Sequence, residues 1–271
     1  MTPQKDQNQF NVLKIYLKQF EYLFDNKPNI SVLKVGEKFI LKKSIDNFLS
    51  ENSIYFFENN TSRVEQLFKQ LIYNIEPIYL NIISDLDNYQ TLRNNSFTKL
   101  VQIISYFTIK SNNWHSMMHF NLNSNNKTNF LKQICAHHTN SLKDIEATKF
   151  YRDVANLPVY DIISYTLLFS AEYLVRKIES CKIIFLKSTD DAPWFTSDSP
   201  VVIKNEIITE KSEIYFPINR TYLAYLYFEN SNLKRNKLQN LKTNSIHLVN
   251  DQLSWKLQQI TMKNAGNNII F

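Results

Sequence analysis

Glu179-Ser180-Cys181-Lys182-Ile183-Ile184-Phe185-Leu186-Lys187 is the stretch on which the fold turns. Upstream of Ser180, apolar residues recur at helical spacing from Tyr160 to Ile178. Downstream, the pattern changes to continuous or alternating β-type runs. Cys181 to Lys187, Trp194 to Thr196, Val201 to Lys204, Ile214 to Pro217 and Tyr222 to Phe228 read as strands. Asp198-Ser199-Pro200 and Asn219-Arg220 supply turn chemistry between them. Short connections favour antiparallel pairing. The expected fold is α+β, a helical N-terminal body of about five or six helices packed on one face of a mostly antiparallel C-terminal β-sheet.

Working outward, Leu233 to Leu241 suggests a short helix, Asn244 to Thr261 a longer one, and Asn268 to Phe271 a final strand. Towards the N-terminus, Thr98 to Phe107 is helical and extends in the direction of Met118, Asn121 to Lys127 is a polar loop, and Thr128 to His138 is helical again. Ser62 with Glu65 forms a capping-box pattern that opens a helix through Ile75. Pro77 is expected to kink or divide that element. Phe10 to Tyr22 is a compact helix or an apolar entry segment, and two β-prone runs around Gly36-Glu37-Lys38 suggest a hairpin. Ile54 to Phe57 adds an aromatic segment. No repeat or Pro/Ser-rich linker interrupts the chain, so one compact domain is expected over residues 1–271. Residues 1–60 form its opening segment and hairpin, 61–180 its helical body, and 181–271 its β-rich part with a late helix.

Composition excludes several chemistries. Of 271 residues, only two are glycine, Gly36 and Gly266. A Walker A loop needs two glycines in one short loop and a dinucleotide fingerprint needs three, so neither nucleotide cofactor site can be built. GxSxG is equally impossible. Cys135 and Cys181 share no paired spacing and read as buried, reduced thiols. The polar N-terminus lacks a signal-peptide pattern, and no apolar run reaches the roughly 20 residues of a membrane span. A cytoplasmic protein without membrane contact is expected. The net charge of +6 is carried mainly by lysine. It fits either a nucleic-acid partner or the lysine-rich composition of an AT-rich genome.

Three carboxylates are candidate catalytic groups: Asp198, Glu65 and Glu76. Asp198 lies between two strands, where a carboxylate can bind a divalent metal or act as a base. The same residue before Ser-Pro also suits a turn, its carboxylate bonding backbone N–H groups near Pro200, and Asn would then substitute at little cost. Glu65 and Glu76 are close to three helical turns apart and can share a face. Ser197 and Arg63 complete the set as binding groups. His115 and His119 share a helix face at i,i+4 spacing but lack an acidic third ligand.

Several segments together resemble domain of unknown function (DUF) family 4238. Tyr16-Leu17-Lys18-Gln19-Phe20 matches its opening "YL..F" element, Ile54-Tyr55-Phe56 its aromatic "fY", and Val64-Glu65 with Ile75-Glu76 its spaced glutamates. The most specific match is Trp194-Phe195-Thr196-Ser197-Asp198-Ser199-Pro200-Val201. Tyr215-Phe216-Pro217-Ile218 and the run from Asn250 through Asn264-Ala265 to Ile270 follow. The family's usual His and Pro before "YL" are replaced by Phe10 and Leu13, and its mid-chain Arg step by Asn112-Asn113-Trp114. The resemblance implies no named activity.

Two functional expectations stand side by side. One is a nucleic-acid-directed protein, a divergent metal-dependent nuclease-like effector of bacterial conflict or defence. The other is a non-catalytic interaction module that binds a partner protein as an immunity, sensor or scaffold subunit.

Overall fold

A computed structural model describes residues 12–51, 66–125, 127–135, 149–204, 209, 211–229 and 237–271. The expected segments at Ser62 to Glu65, Ile54 to Phe57 and most of His138 to Tyr151 fall outside them. The described chain is α+β, with the helices concentrated ahead of Ser180 and antiparallel pairing dominant after it.

Residues 12–17 are helical and run into a 3₁₀ turn at Lys18–Phe20. A meander follows: β1 (Tyr22–Phe24), β2 (Lys27–Lys34) and β3 (Ile40–Lys43). Asp25 and Asn26 both take positive φ between β1 and β2, the signature of a tight hairpin turn. Gly36 has φ +86° in the next turn, which a side chain rarely tolerates. The helices then come in order: α1 (Ile45–Glu51), α2 (Lys69–Tyr73), α3 (Ile75–Tyr89), α4 (Asn94–Lys110), α5 (Asn112–Asn123), α6 (Lys127–Cys135), α7 (Lys149–Ala155) and α8 (Val159–Glu179). This exceeds the five or six expected because single periodic runs are split. The division expected at Pro77 falls just ahead of it, at Asn74 between α2 and α3, and Pro77 sits in the first turn of α3, where its missing N–H has no partner to lose. The run from Thr98 towards Met118 is split at Ser111, whose hydroxyl caps α5 by accepting from Trp114 N at 3.2 Å. The expected loop at Asn121 to Lys127 shrinks to the few residues between α5 and α6.

The strands after Ser180 do not form one sheet. β6 (Val202–Lys204), β7 (Glu213–Pro217), β8 (Tyr222–Tyr227), β4 (Lys182–Lys187) and β9 (Ile246–Leu248) make one sheet in that order, with β9 parallel to β4. β5 (Thr196–Ser197) and β10 (Asn268–Ile270) leave it and join the N-terminal meander. There β10 lies between β2 and β5, pairing antiparallel with both. β9 falls inside the segment expected to be a single helix; the helix there, α9, spans Asp251–Asn264 and is capped by Asn250.

The second sheet is covered on both faces rather than one. Ile183, Phe185, Ile214, Phe216, Ala224 and Leu226 face the helical body, to which α4 contributes Leu100, Ile103, Ile104 and Phe107 and α8 Ile162, Ala171, Leu174 and Ile178. Ile184, Leu186, Leu223 and Tyr225 face Leu253 and Leu257 of α9 and Leu238 of a 3₁₀ turn. Every residue of β8 is buried, which explains its unbroken apolar run. Among the described residues, no helix is long and apolar enough to cross a membrane.

Candidate functional site

Asp198 follows β5, and it is 8% exposed. Its Oδ1 accepts from Gly266 N at 2.8 Å, and its Oδ2 from Asn267 N at 2.7 Å and Asn268 N at 2.9 Å, with Asn268 Nδ2 at 3.3 Å. Three consecutive backbone N–H groups thus form a cradle around one carboxylate. The donors come from the join between α9 and β10, not from the neighbourhood of Pro200. The expectation of backbone bonds holds in kind but not in place. Gly266 has a matching reason to lack a side chain: a Cβ there would lie 3.2 Å from Asp198 Oδ1 and 3.3 Å from Oδ2.

Ser197 is fully buried and closes the turn itself, its Oγ donating to Ser199 O at 2.9 Å and accepting from Ser199 N at 3.1 Å. Glu76 lies elsewhere, in the exposed first turn of α3, with Lys18 Nζ at 3.4 Å. Glu65 and Arg63 lie outside the described residues. Of the candidates described, Asp198 and Ser197 share one turn, and Glu76 belongs to a separate surface.

Three of the segments that resemble the family meet around one buried hydroxyl. Tyr16 is fully buried; its OH lies 2.5 Å from Thr196 Oγ1 and donates to Pro217 O at 3.0 Å. Its ring packs on Phe20, Tyr79, Phe107 and Phe216. Tyr79 in turn donates to Ile218 O at 3.2 Å. Burial pushes the hydroxyls of Tyr16 and Tyr79 far above the ordinary tyrosine value, so both stay neutral donors. The "YL..F", "TSD.P" and "FPI" segments are therefore mutual contacts that join the opening helix to both sheets.

Two polar groupings escape a sequence reading. Glu213 opens β7 and is buried. It accepts from Tyr215 OH at 3.0 Å and Tyr225 OH at 2.7 Å, and Lys204 Nζ lies at 3.5 Å. Gln239 Nε2 donates to the Tyr225 hydroxyl at 3.3 Å. Burial, with the Glu213 charge adding to it, raises both tyrosines. The only sequence signal was a Glu-x-Tyr alternation at the head of an apolar strand. The second grouping is Asp85, which is fully buried and held by Arg93 Nε at 2.7 Å and Nη2 at 2.6 Å. Burial alone would raise its carboxyl, but bonds from Arg93 and Ser96 outweigh that and leave it below 3.8. A pocket of about 270 Å³ opens beside it, lined by Ile78, Asn81, Arg93, Asn95, Ser96 and Lys99. Its cations are engaged, Arg93 by Asp85 and Lys99 by Gln102 Oε1 at 3.2 Å.

On α5, desolvation moves His115 down to about 4, with His119 and Lys110 adding to the effect, so its imidazole is neutral at pH 7. Among the described residues, no group of three or more His, Cys, Asp or Glu side chains is placed to hold a metal ion. Cys181 is buried, and desolvation pushes its thiol up to about 12.

The β1–β3 meander carries a run of exposed apolar side chains. Leu23 is 76% exposed, Phe39 78% and Ile40 56%, with Phe24, Val35 and Leu41 also open to solvent.

Fold and site together define an α+β protein in which Tyr16, Thr196 and Pro217 meet in a buried contact and the β1–β3 meander presents exposed apolar and lysine side chains. Residues 10–271 match the family described as "Protein of unknown function (DUF4238)", and the chain belongs to that family. No curated protein and no solved structure matches it.

Proposed function

We propose that this chain is a cytoplasmic, non-catalytic interaction module, an immunity, sensor or scaffold subunit, which binds a partner protein through its N-terminal meander. One observation carries the reading. Among the described residues, Leu23, Phe24, Val35, Phe39, Ile40 and Leu41 are exposed together on β1–β3 and its turns, whereas the other exposed large apolar side chains, such as Leu80, Phe120, Leu248 and Trp255, are spread singly over separate elements. A monomer gains nothing by leaving such side chains in water, and patches of this kind mark interaction sites. The chemistry of Asp198 supports the same reading. A carboxylate already accepting from three backbone N–H groups and from Asn268 Nδ2 has most of its roughly four acceptor positions engaged within the fold.

Incubation of the protein with labelled RNA and DNA, with and without Mg²⁺ or Mn²⁺, tests this reading against a nuclease-like effector. The expected result is intact nucleic acid under every condition. Metal-dependent cleavage that disappears in a folded Asp198→Asn variant would overturn it.

A further inference from the structure

β3 pairs with β2 from Ile40↔Leu33 to Lys43↔Ile30. Among the described residues, no strand pairs with its other side. Exposed edges of this kind are templates for strand addition. Side chains alternate across β3, so each face carries one apolar residue and one lysine: Ile40 with Lys42, and Leu41 with Lys43. Lys43 is paired with Glu51. Lys42 lies over the Phe24 ring, 3.3 Å from its centre, with no carboxylate partner among the described residues. From Tyr22 to Lys43 there are five lysines against Asp25 and Glu37, a surplus of three charges within 22 residues of a chain whose whole surplus is +6.

We infer that the free edge of β3 takes up an extended acidic segment of a partner protein as an added strand, an inference that rests on the interaction-module reading above. The edge presents backbone donors and acceptors in alternation, which another polypeptide backbone matches. Apolar residues of that segment would lie against Ile40 and Leu41, and a Glu or Asp against Lys42. A second copy of this chain fits poorly, because pairing two such edges would bring together two meanders that each carry a surplus of three positive charges. A nucleic-acid backbone fits poorly too, since phosphates only accept, and Tyr22 to Lys43 contains no arginine for bidentate phosphate contact. Four paired residues span about 13 Å, so the contact is small and the affinity modest.

The probe is a fluorescein-labelled dodecapeptide alternating Glu with Val and Ile. It is compared with its Lys-for-Glu counterpart and with an acidic version carrying two central prolines, by fluorescence anisotropy with the whole chain. The acidic peptide should bind with a Kd on the order of 10 µM at low salt, and at least tenfold more weakly at about 0.5 M salt. Lys42→Glu should weaken it to a similar degree. Lys38→Glu with Lys42→Glu should shift preference towards the basic peptide. The amides of residues 40–43 should gain hydrogen-exchange protection on binding, which a purely ionic contact would not give. Four results overturn the inference: no binding at about 1 mM peptide, equal binding of the proline version, indifference to Lys42→Glu, or single-stranded RNA held by the same lysines in place of the peptide. Peptide failure with intact nucleic acid removes strand addition alone, whereas metal-dependent cleavage removes the interaction reading as well.

Discussion

Replacing Asp198 by Asn changes one atom and should cost the protein a measurable share of its stability. Asn keeps a single carbonyl oxygen. Placed at the Oδ2 position, it still accepts from Asn267 N and Asn268 N, bonds now 2.7 and 2.9 Å long, but without the charge that shortens and strengthens them. The amide nitrogen then faces Gly266 N–H, whose present acceptor lies at 2.8 Å. Two donors meet, and the Gly266 N–H loses its carboxylate acceptor. Losing one charge-assisted bond and weakening two others comes to about 3 kcal/mol. For a chain of this size that is a fall in Tm of roughly 6–12 °C. The assay is thermal and urea unfolding of wild type and variant, followed by circular dichroism. A variant within about 1 kcal/mol of wild type would refute the cradle as a structural element. It would revive the reading in which Asn substitutes freely in a local turn.

Gly266→Ala should destabilise by about 1–2 kcal/mol in the same unfolding assay, because the carboxylate its Cβ would crowd is pinned and cannot yield. Tyr16→Phe should cost about 2 kcal/mol, since Thr196 Oγ1 and Pro217 O lose their buried partner; Tyr22→Phe, which removes only a half-buried contact to Ser31, is the control and should change little. His115 has its folded value lowered to about 4 from 6.5, so its contribution is complete above pH 6.5 and declines as pH falls towards 4, where the unfolded state takes a proton that the folded state refuses. The slope of stability against pH in that window should flatten in His115→Gln, and an unchanged slope would show that other groups carry it.

The sequence displayed what depends on local spacing. The switch at Ser180 is real, α4 and α8 follow their apolar repeats, and Asn219 makes the expected turn, its Oδ1 accepting from Thr221 N and Tyr222 N. What it concealed depends on pairing between distant segments. Asn268 to Ile270 looks like any short strand, and nothing in its composition says that it inserts between Lys34 and Ser197. One sheet was expected where two exist because periodicity identifies strands but not their neighbours. Ile246 to Leu248 was absorbed into a helix because three residues are too few to set a period against the long repeat that follows. Asp198 stands out in the sequence, yet its donors lie 68 to 70 positions away, beyond any motif. The meander was legible as a hairpin, but its exposure was not: Phe39 and Ile40 look like core residues until the fold leaves them outside.

The placement of β10 has a kinetic consequence. The helical body and the second sheet are built mostly from segments near one another in the chain, whereas the first sheet needs Lys34 beside Asn268 before β5 can complete it. Closing so long a loop carries an entropic cost that local contacts do not share. The β2–β10–β5 seam is thus expected to close late, after the body on which it rests has formed, and to work as a clasp. Interactions made only after the folding barrier act mainly on the unfolding rate. Weakening the clasp, at Asp198 or Gly266, should therefore shorten the lifetime of the folded protein far more than it slows folding.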